Sequence, residues 1–381
     1  MRTRQTQHRS KMTQTQTNIP AIHQFLAGFA HGDAISNEAR VLRSIFRSWG
    51  CRSEIFCETK RIMPDLRKDA RDISSYATDA GSDDITLLHL SIGSVVNDFF
   101  AGLACKKAIL YHNVTPAHYF LPYQSITSAE LARGTAQVKA LSQTADVVLA
   151  DSRFNAIELE SLGYNNVAVF SIVLDLARLR AKPDARVIRR LRDGAVNVLF
   201  VGRCAPNKRI EDLLTAFSVF QKTVQPESRL ICVGSHSGLE RYYHLLLSMT
   251  RELKLKDVTF TGAVPQAELN AYYRVADMFL CMSEHEGFCI PLLESMIHDV
   301  PVLAYAATAV PETLNGSGIL FAEKRFDLIA EMMGRVTKDA TLREAILVRQ
   351  RKRISAFENR DASAEIRRRL SPLLDATGRD A

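Results

Sequence analysis

The 381-residue chain has no run approaching the roughly 20 apolar residues that span a bilayer, so any membrane contact is expected to be peripheral. Residues 1–18 are rich in Gln, Thr and Arg and contain neither an acid nor an apolar stretch. That composition excludes a secretory signal and reads as a disordered basic tail. Seven cysteines, at 51, 57, 105, 204, 232, 281 and 289, form no Cys-x-x-Cys pair, and their odd number fits reduced thiols in the cytoplasm. Cys232 and Cys281 lie inside apolar runs and read as small core residues. Zinc-finger spacing is absent, and so is any Asp-x-Asp pair placed to hold a divalent ion, so no metal is expected.

Positive charge is less abundant than it first looks. Of the formal net charge of +7, Arg2, Arg4, Arg9 and Lys11 supply four, which leaves +3 for the remainder. That excess is too small for a nucleic-acid footprint. The basic stretches at 349–353 and 367–369 read as solvated helix faces. A surface for anionic lipid at the inner face of the plasma membrane is the alternative, each exposed cation adding ~1 kcal/mol.

What the chain does have is 46% hydrophobic residues arranged as two rounds of short apolar runs. The first round falls at 22–26, 53–57, 85–90, 108–111, 147–150 and 167–171, and the second at 196–201, 229–233, 258–261, 278–282, 302–305 and 319–321. Helix-length segments separate most of them, which predicts parallel sheets covered on both faces. The expected organisation is an α/β protein of two Rossmann-like, doubly wound domains, at 19–182 and 183–356, facing a central cleft. A C-terminal helix in 357–381 is expected to pack back toward the first domain. Mixed charge and Pro183 mark 174–192 as the linker.

Two stretches of the second half carry chemistry. Glu286-Gly287-Phe288-Cys289-Ile290-Pro291-Leu292-Leu293-Glu294 sets two carboxylates with seven residues between them across a glycine turn and a helix start. With Pro291 as first helical residue, the amides from Gly287 to Ile290 lead into the positive end of the helix dipole, where phosphate binds. The carboxylates suit hydroxyl groups on either side of that phosphate: sugar hydroxyls for Glu286, a ribose diol for Glu294. Upstream, the 198–201 strand ends at Gly202, followed by Arg203 and Lys208 before a helix beginning near Ile210. Cations at the carboxyl end of a parallel strand lie on the ligand edge of the sheet, and near a helix amino end they are otherwise unfavourable. Arg203 can grip a diphosphate with its planar fork while an exposed Lys208 adds a compact charge.

These stretches, with the Thr261-Gly262 turn, resemble the glycosyltransferase family 4 enzymes, strongly over 195–330. The likeness extends more weakly to Gly28–Asn37, Tyr111-His112-Asn113 and Ala150-Asp151-Ser152-Arg153. The resemblance implies a GT-B fold and a metal-independent, retaining hexosyltransferase without a cofactor, using a UDP- or GDP-linked sugar and a glycan or lipid-linked acceptor. Bacterial envelope polysaccharide or lipopolysaccharide synthesis and mannosyl transfer are the implied settings. Carried over, the catalytic set is His112, Glu286, Arg203 and Lys208. Gly32, Gly202, Val264, Gly287, Phe288, Cys289, Ile290 and Glu294 join it around the donor. Two positions depart from the family, Cys289 and Arg209 standing where glycine is common.

The acceptor is expected on the first domain, near His31, Asp33, Asn113 and Tyr119. The Gly28–Asp33 loop serves equally as an ordinary strand-to-helix turn capped by Asp33 or Ser36, and Tyr119, Phe120 and Tyr123 either stack on a sugar or pack their loop. Two other functions use the same residues: an epimerase or phosphorylase-like enzyme, and a non-catalytic nucleotide-sugar-binding protein. The second would not need Arg203, Lys208, Glu286 and Glu294 together.

Overall fold

The computed structural model describes residues 21–374 except 79, 80 and 82, so the tail expected at 1–18 lies outside the described residues. In chain order the first half runs β1 (Ile22–Leu26), α1 (Ala34–Ser48), β2 (Ile55–Cys57), β3 (Arg71–Asp72), β4 (Ile85–Leu90), α2 (Val95–Ala101), β5 (Lys106–Tyr111), α3 (Ser125–Ala140), β6 (Val147–Ala150), α4 (Arg153–Ser161) and β7 (Ala168–Val169). Two short helices follow, α5 (Leu176–Leu179) and α6 (Ala185–Leu191). The second half runs β8 (Val196–Val201), α7 (Ile210–Thr223), β9 (Ser228–Val233), α8 (Glu240–Glu252), β10 (Val258–Gly262), α9 (Gln266–Val275), β11 (Met278–Cys281), α10 (Ile290–Ile297), β12 (Val302–Tyr305), α11 (Val310–Leu314) and β13 (Ile319–Phe321). Helices α12 (Phe326–Lys338), α13 (Ala340–Glu358) and α14 (Ala362–Leu374) close the described chain.

The strands form two sheets, ordered β3-β2-β1-β4-β5-β6-β7 and β10-β9-β8-β11-β12-β13. Their named strands pair in parallel. Each sheet reverses direction beside its first strand, between β1 and β4 and between β8 and β11, so each is doubly wound. A reversal of this kind opens a crevice at the carboxyl ends of the strands. The central strands need apolar residues on both faces, and β1 and β4 are buried along their whole length. That makes the polar members of these strands, His23, Gln24, Thr86 and His89, unusual, because each buried polar group requires a partner.

Helix α14 lies against the first sheet, where Ile366, Leu370 and Leu373 join a core with Ile22, Leu42 and Phe46. Lys106 Nζ donates to the Leu373 carbonyl at 3.0 Å and Trp49 Nε1 to Ser363 Oγ at 3.0 Å. On α13, Gln350 is fully buried: it accepts from the Val302 amide at 2.9 Å and donates to the Val300 carbonyl at 2.8 Å, which fixes that helix to β12.

The 174–192 segment runs between the two sheets as two short helices held to α9: Asn270 donates to the carbonyls of Arg178 and Ala181, and the Asp184 amide donates to the Ala267 carbonyl. The basic stretches lie on α13 and α14 with Arg349, Arg351, Lys352, Arg367 and Arg368 exposed, and several of their side chains are tied to neighbours. Arg353 Nε donates to Thr313 O at 3.1 Å, Arg369 to Val169 O at 3.3 Å, Arg351 pairs with Asp299 and Glu344, and Arg367 lies over the Trp49 ring. No described helix is long and apolar enough to cross a membrane.

Candidate functional site

The carboxyl edges of the two sheets meet at Gly287 and His112. A Cβ at 287 would overlap the His112 carbonyl oxygen and stand 2.8 Å from Asn113 Cβ, so only glycine permits this approach. Ser152 Oγ donates to the Gly287 carbonyl at 2.8 Å. From the second domain, Glu312 accepts the Arg153 and Phe154 amides at 2.7 and 3.2 Å, placing an anion on the positive end of α4. Tyr119 reaches Glu284 at 3.4 Å, and the Tyr123 ring meets Tyr242 edge-on. Phe120 is a core residue.

On the second domain, β8 is followed by Gly202, whose carbonyl lies so close to Gly234 that no side chain fits at 234. Arg203 is exposed and donates to the Ser237 carbonyl at 3.2 Å. Lys208 differs from its expectation: its side chain is only 20% exposed and its Nζ pairs with Glu286 Oε2 at 2.6 Å. Burial opposes the ammonium charge, but Glu286 outweighs it and holds the pKa above the ordinary lysine value. The two loops are stapled by Asn207, whose Nδ2 donates to the His285 carbonyl at 3.0 Å and whose own carbonyl accepts from the Glu284 amide at 2.9 Å. Arg209 turns the chain into α7 in the left-handed region at φ 51°, the geometry for which glycine is the easy choice. It pairs with Asp212 and Glu284, and Lys324 binds the same two carboxylates at 2.6 and 2.7 Å. Lys324 carries no sequence signal because it arrives from a distant loop.

In the 286–294 stretch, the two-carboxylate clamp, helix α10 begins at Ile290, so Pro291 is its second residue. Cys289 caps it at φ 72°, again in the left-handed region. Phe288 and Cys289 are buried, and Val264 and Ile290 pack against the core that contains them. Glu294 is buried and accepts from the Tyr273 hydroxyl at 2.7 Å. Burial raises its pKa, with Tyr273 opposing the shift.

On the first domain, Asp33 caps α1, accepting from the Ser36 amide at 2.7 Å and hydroxyl at 2.6 Å, and Gly32 turns at φ 69°. His31 is exposed and pairs with Asp65 at 2.6 Å. Asn113, at φ 78°, gives its Nδ2 to Asn155 at 2.9 Å and Glu158 at 2.8 Å. Its buried Oδ1 has no hydrogen-bond partner.

His112 sits in a buried network whose proton positions follow from its ends. Gln24 Nε2 donates to the Ala39 carbonyl at 2.9 Å, so its Oε1 is an acceptor and His89 Nε2, 3.0 Å away, carries hydrogen. Burial and the charge of His112 keep His89 neutral, with a pKa well below the ordinary value. His89 Nδ1 is therefore bare and accepts from His112 Nε2 at 3.0 Å. His112 Nδ1 faces Asp151 Oδ2 at 3.3 Å, where only an N–H suits a carboxylate. Donation from both ring nitrogens is the imidazolium form, balanced against Asp151, whose own pKa burial raises while His112 lowers it. Burial works against the imidazolium, but the Asp151 hydrogen bond and the charges of Glu38, 3.7 Å away, and Asp151 raise the His112 pKa above the ordinary value. Glu38 has a buried Oε2 without a hydrogen-bond partner, and burial raises its pKa to about 7. Sequence reading names neither Glu38 nor His89.

Residues 182–353 match the family model described as Glycosyl transferases group 1. The chain is 29% identical over 153 residues to the O-antigen chain mannosyltransferase B of Escherichia coli, covering 40% of this chain and 39% of that protein. It is 35% identical over 188 residues to the D-inositol 3-phosphate glycosyltransferase of Thermobispora bispora, covering 45% and 44%. The chain thus spans less than half the length of these curated relatives. Among solved structures, the sucrose-phosphate synthase of Thermosynechococcus elongatus superimposes with a TM-score of 0.72 at 18% identity, covering 94% of this chain and 100% of that one. The Anabaena protein HepE in complex with UDP-glucose gives 0.69 at 16%, covering 93% and 99%. The fold is GT-B. The two doubly wound domains expected from the sequence are therefore present, and the stretch matching the family model carries Arg203, Lys208, Glu286 and Glu294.

Proposed function

We propose that the protein is a retaining, metal-independent glycosyltransferase that moves a hexosyl group from a nucleoside-diphosphate sugar to a saccharide acceptor. The observation that carries the reading is the Lys208–Glu286 pair of 2.6 Å, held at the carboxyl edge of the second sheet and facing the His112 loop across Gly287. Without donor, the two side chains satisfy each other. An arriving diphosphate offers oxygen anions to Lys208, Arg203 and the α10 amides, and so frees Glu286 to accept from sugar hydroxyls. Fixed positive charge at the leaving diphosphate favours departure, because that is where negative charge develops. Glu294, with Tyr273 ordering its carboxylate, takes the ribose diol. The buried His112 imidazolium contributes charge beside the sugar, since both its ring N–H groups are already directed to His89 and Asp151.

The name of the Escherichia coli relative favours mannose as the hexose and a surface polysaccharide as the acceptor. A cytoplasmic site of action, at the inner face of the membrane, fits such an acceptor. The test is slow hydrolysis of a panel of UDP- and GDP-linked α-hexoses in excess EDTA, with the first-formed anomer read by NMR. The proposal expects one donor to be consumed and α-hexose to appear first. First-formed β-hexose would exclude retention, and activity lost in chelator and restored by manganese would exclude metal independence.

A further inference from the structure

Cys281 ends β11, Cys289 caps α10, and Glu286 lies on the loop between them; all three are buried. Their ligand atoms, two thiol sulfurs and a carboxylate oxygen, all lie within 4.8 Å of one another. We propose that these three residues bind a thiophilic divalent cation of the zinc class, and that loading it shuts the donor site.

The donor set matches the ion. Tetrahedral zinc with sulfur at about 2.3 Å and oxygen at about 2.0–2.2 Å places its ligand atoms about 3.5–3.8 Å apart, so this cluster needs to contract by about 1.3 Å at most. Two thiolates select zinc, cadmium or cobalt over magnesium and calcium, which prefer all-oxygen sites. Charge also balances. Metal-free, with both thiols protonated, the Glu286 charge is offset by Lys208, 2.6 Å away. When the dication enters, the two thiol protons leave to solvent, so two thiolates offset the two charges of the ion. The buried cluster gains no net charge and avoids the cost of an isolated buried ion. Ser283 Oγ, 3.4 Å from Cys281 Sγ, is placed to turn its hydroxyl toward the thiolate. A cysteine at φ 72°, where glycine fits more easily, brings the second sulfur to the cluster.

The switching half rests on the donor reading above, since the metal takes the Glu286 carboxylate that the sugar hydroxyls of the donor require. The full-length reduced chain is titrated with Co²⁺ and followed by absorption and by proton release. The expected result is one cobalt per chain, a thiolate-to-cobalt charge-transfer band, two protons released per ion, and displacement by Zn²⁺. The band should vanish in Cys281→Ser and in Cys289→Gly, a substitution that its backbone angle accommodates. No band, or a band surviving both substitutions, would overturn the site. In parallel, saturating Zn²⁺ should lower donor hydrolysis at least tenfold, reversibly with EDTA, and should leave the hydrolysis rate of Cys289→Gly unaltered by zinc. Equal hydrolysis with and without zinc would overturn the switch. Failure of the metal-free chain to bind either nucleotide would defeat the donor reading while the cobalt result stands by itself.

Discussion

His89 Nδ1 faces His112 Nε2 at 3.0 Å with the two rings parallel, and this contact fixes which of the pair carries charge. Because Gln24 makes His89 a donor at its far nitrogen, His89 has only an acceptor left for His112. Asp151 then completes an imidazolium at the carboxyl end of β5. The charge beside the cleft is thus set by residues from β1, β4 and the loop after β6, none of which needs to touch a ligand.

Asp151→Asn should remove that charge. In the wild type, ring ¹⁵N shifts at neutral pH should show both His112 nitrogens protonated. In the variant one should become bare, with turnover falling about tenfold or more and nucleotide affinity changing less. A bare His112 nitrogen in the wild type would contradict the network.

Glu38 gives a sign-specific stability prediction. Its pKa is raised from the ordinary 4.5 to about 7, so between those values the folded state keeps a proton that the unfolded state has lost. Stability from this group therefore falls as pH rises from about 4.5 to about 7 and is level beyond. His285 and His298, lowered to about 4 by burial, act in the opposite sense over much of the same range. A difference measurement isolates Glu38: the stability of Glu38→Gln relative to wild type should climb by about 1 to 3 kcal/mol across that window in denaturant titrations. A difference that is flat with pH would show that Glu38 ionises normally.

Lys208 is bound to Glu286 in a largely buried pair, so Lys208→Ala should cost stability as well as donor binding. Stranding the carboxylate is expected to lower stability by about 1–3 kcal/mol, and adding Glu286→Gln should return much of it without returning turnover. Additive losses in the double variant would mean that the pair is not coupled in solution.

The architecture was legible in the sequence because it rests on recurring short apolar runs, of which those at 22–26, 85–90, 196–201 and 302–305 are strands with those limits. Strand β3 was not, since two polar residues, Arg71 and Asp72, form it at a sheet edge. The loop residues Arg203 and Lys208 and the clamp carboxylates stand out because their charge interrupts apolar patterning. Glu38 and His89 do not: one looks like any acid on an amphipathic helix, the other like a polar residue within a strand, and only the β4–β5 register brings His89 beside His112. Burial of Lys208 was equally hidden, because it depends on the loop after β11 closing over it.

The central claim is that the second domain binds a nucleoside diphosphate without metal. Its most direct test is calorimetric titration of GDP and of UDP into the chain in excess EDTA, repeated with Glu294→Gln and Glu286→Gln. One nucleotide should bind at one site per chain, with affinity reduced at least tenfold, about 1.4 kcal/mol, in Glu294→Gln and less in Glu286→Gln. Absence of binding by either nucleotide, or a greater loss in Glu286→Gln than in Glu294→Gln, would contradict the site as assigned.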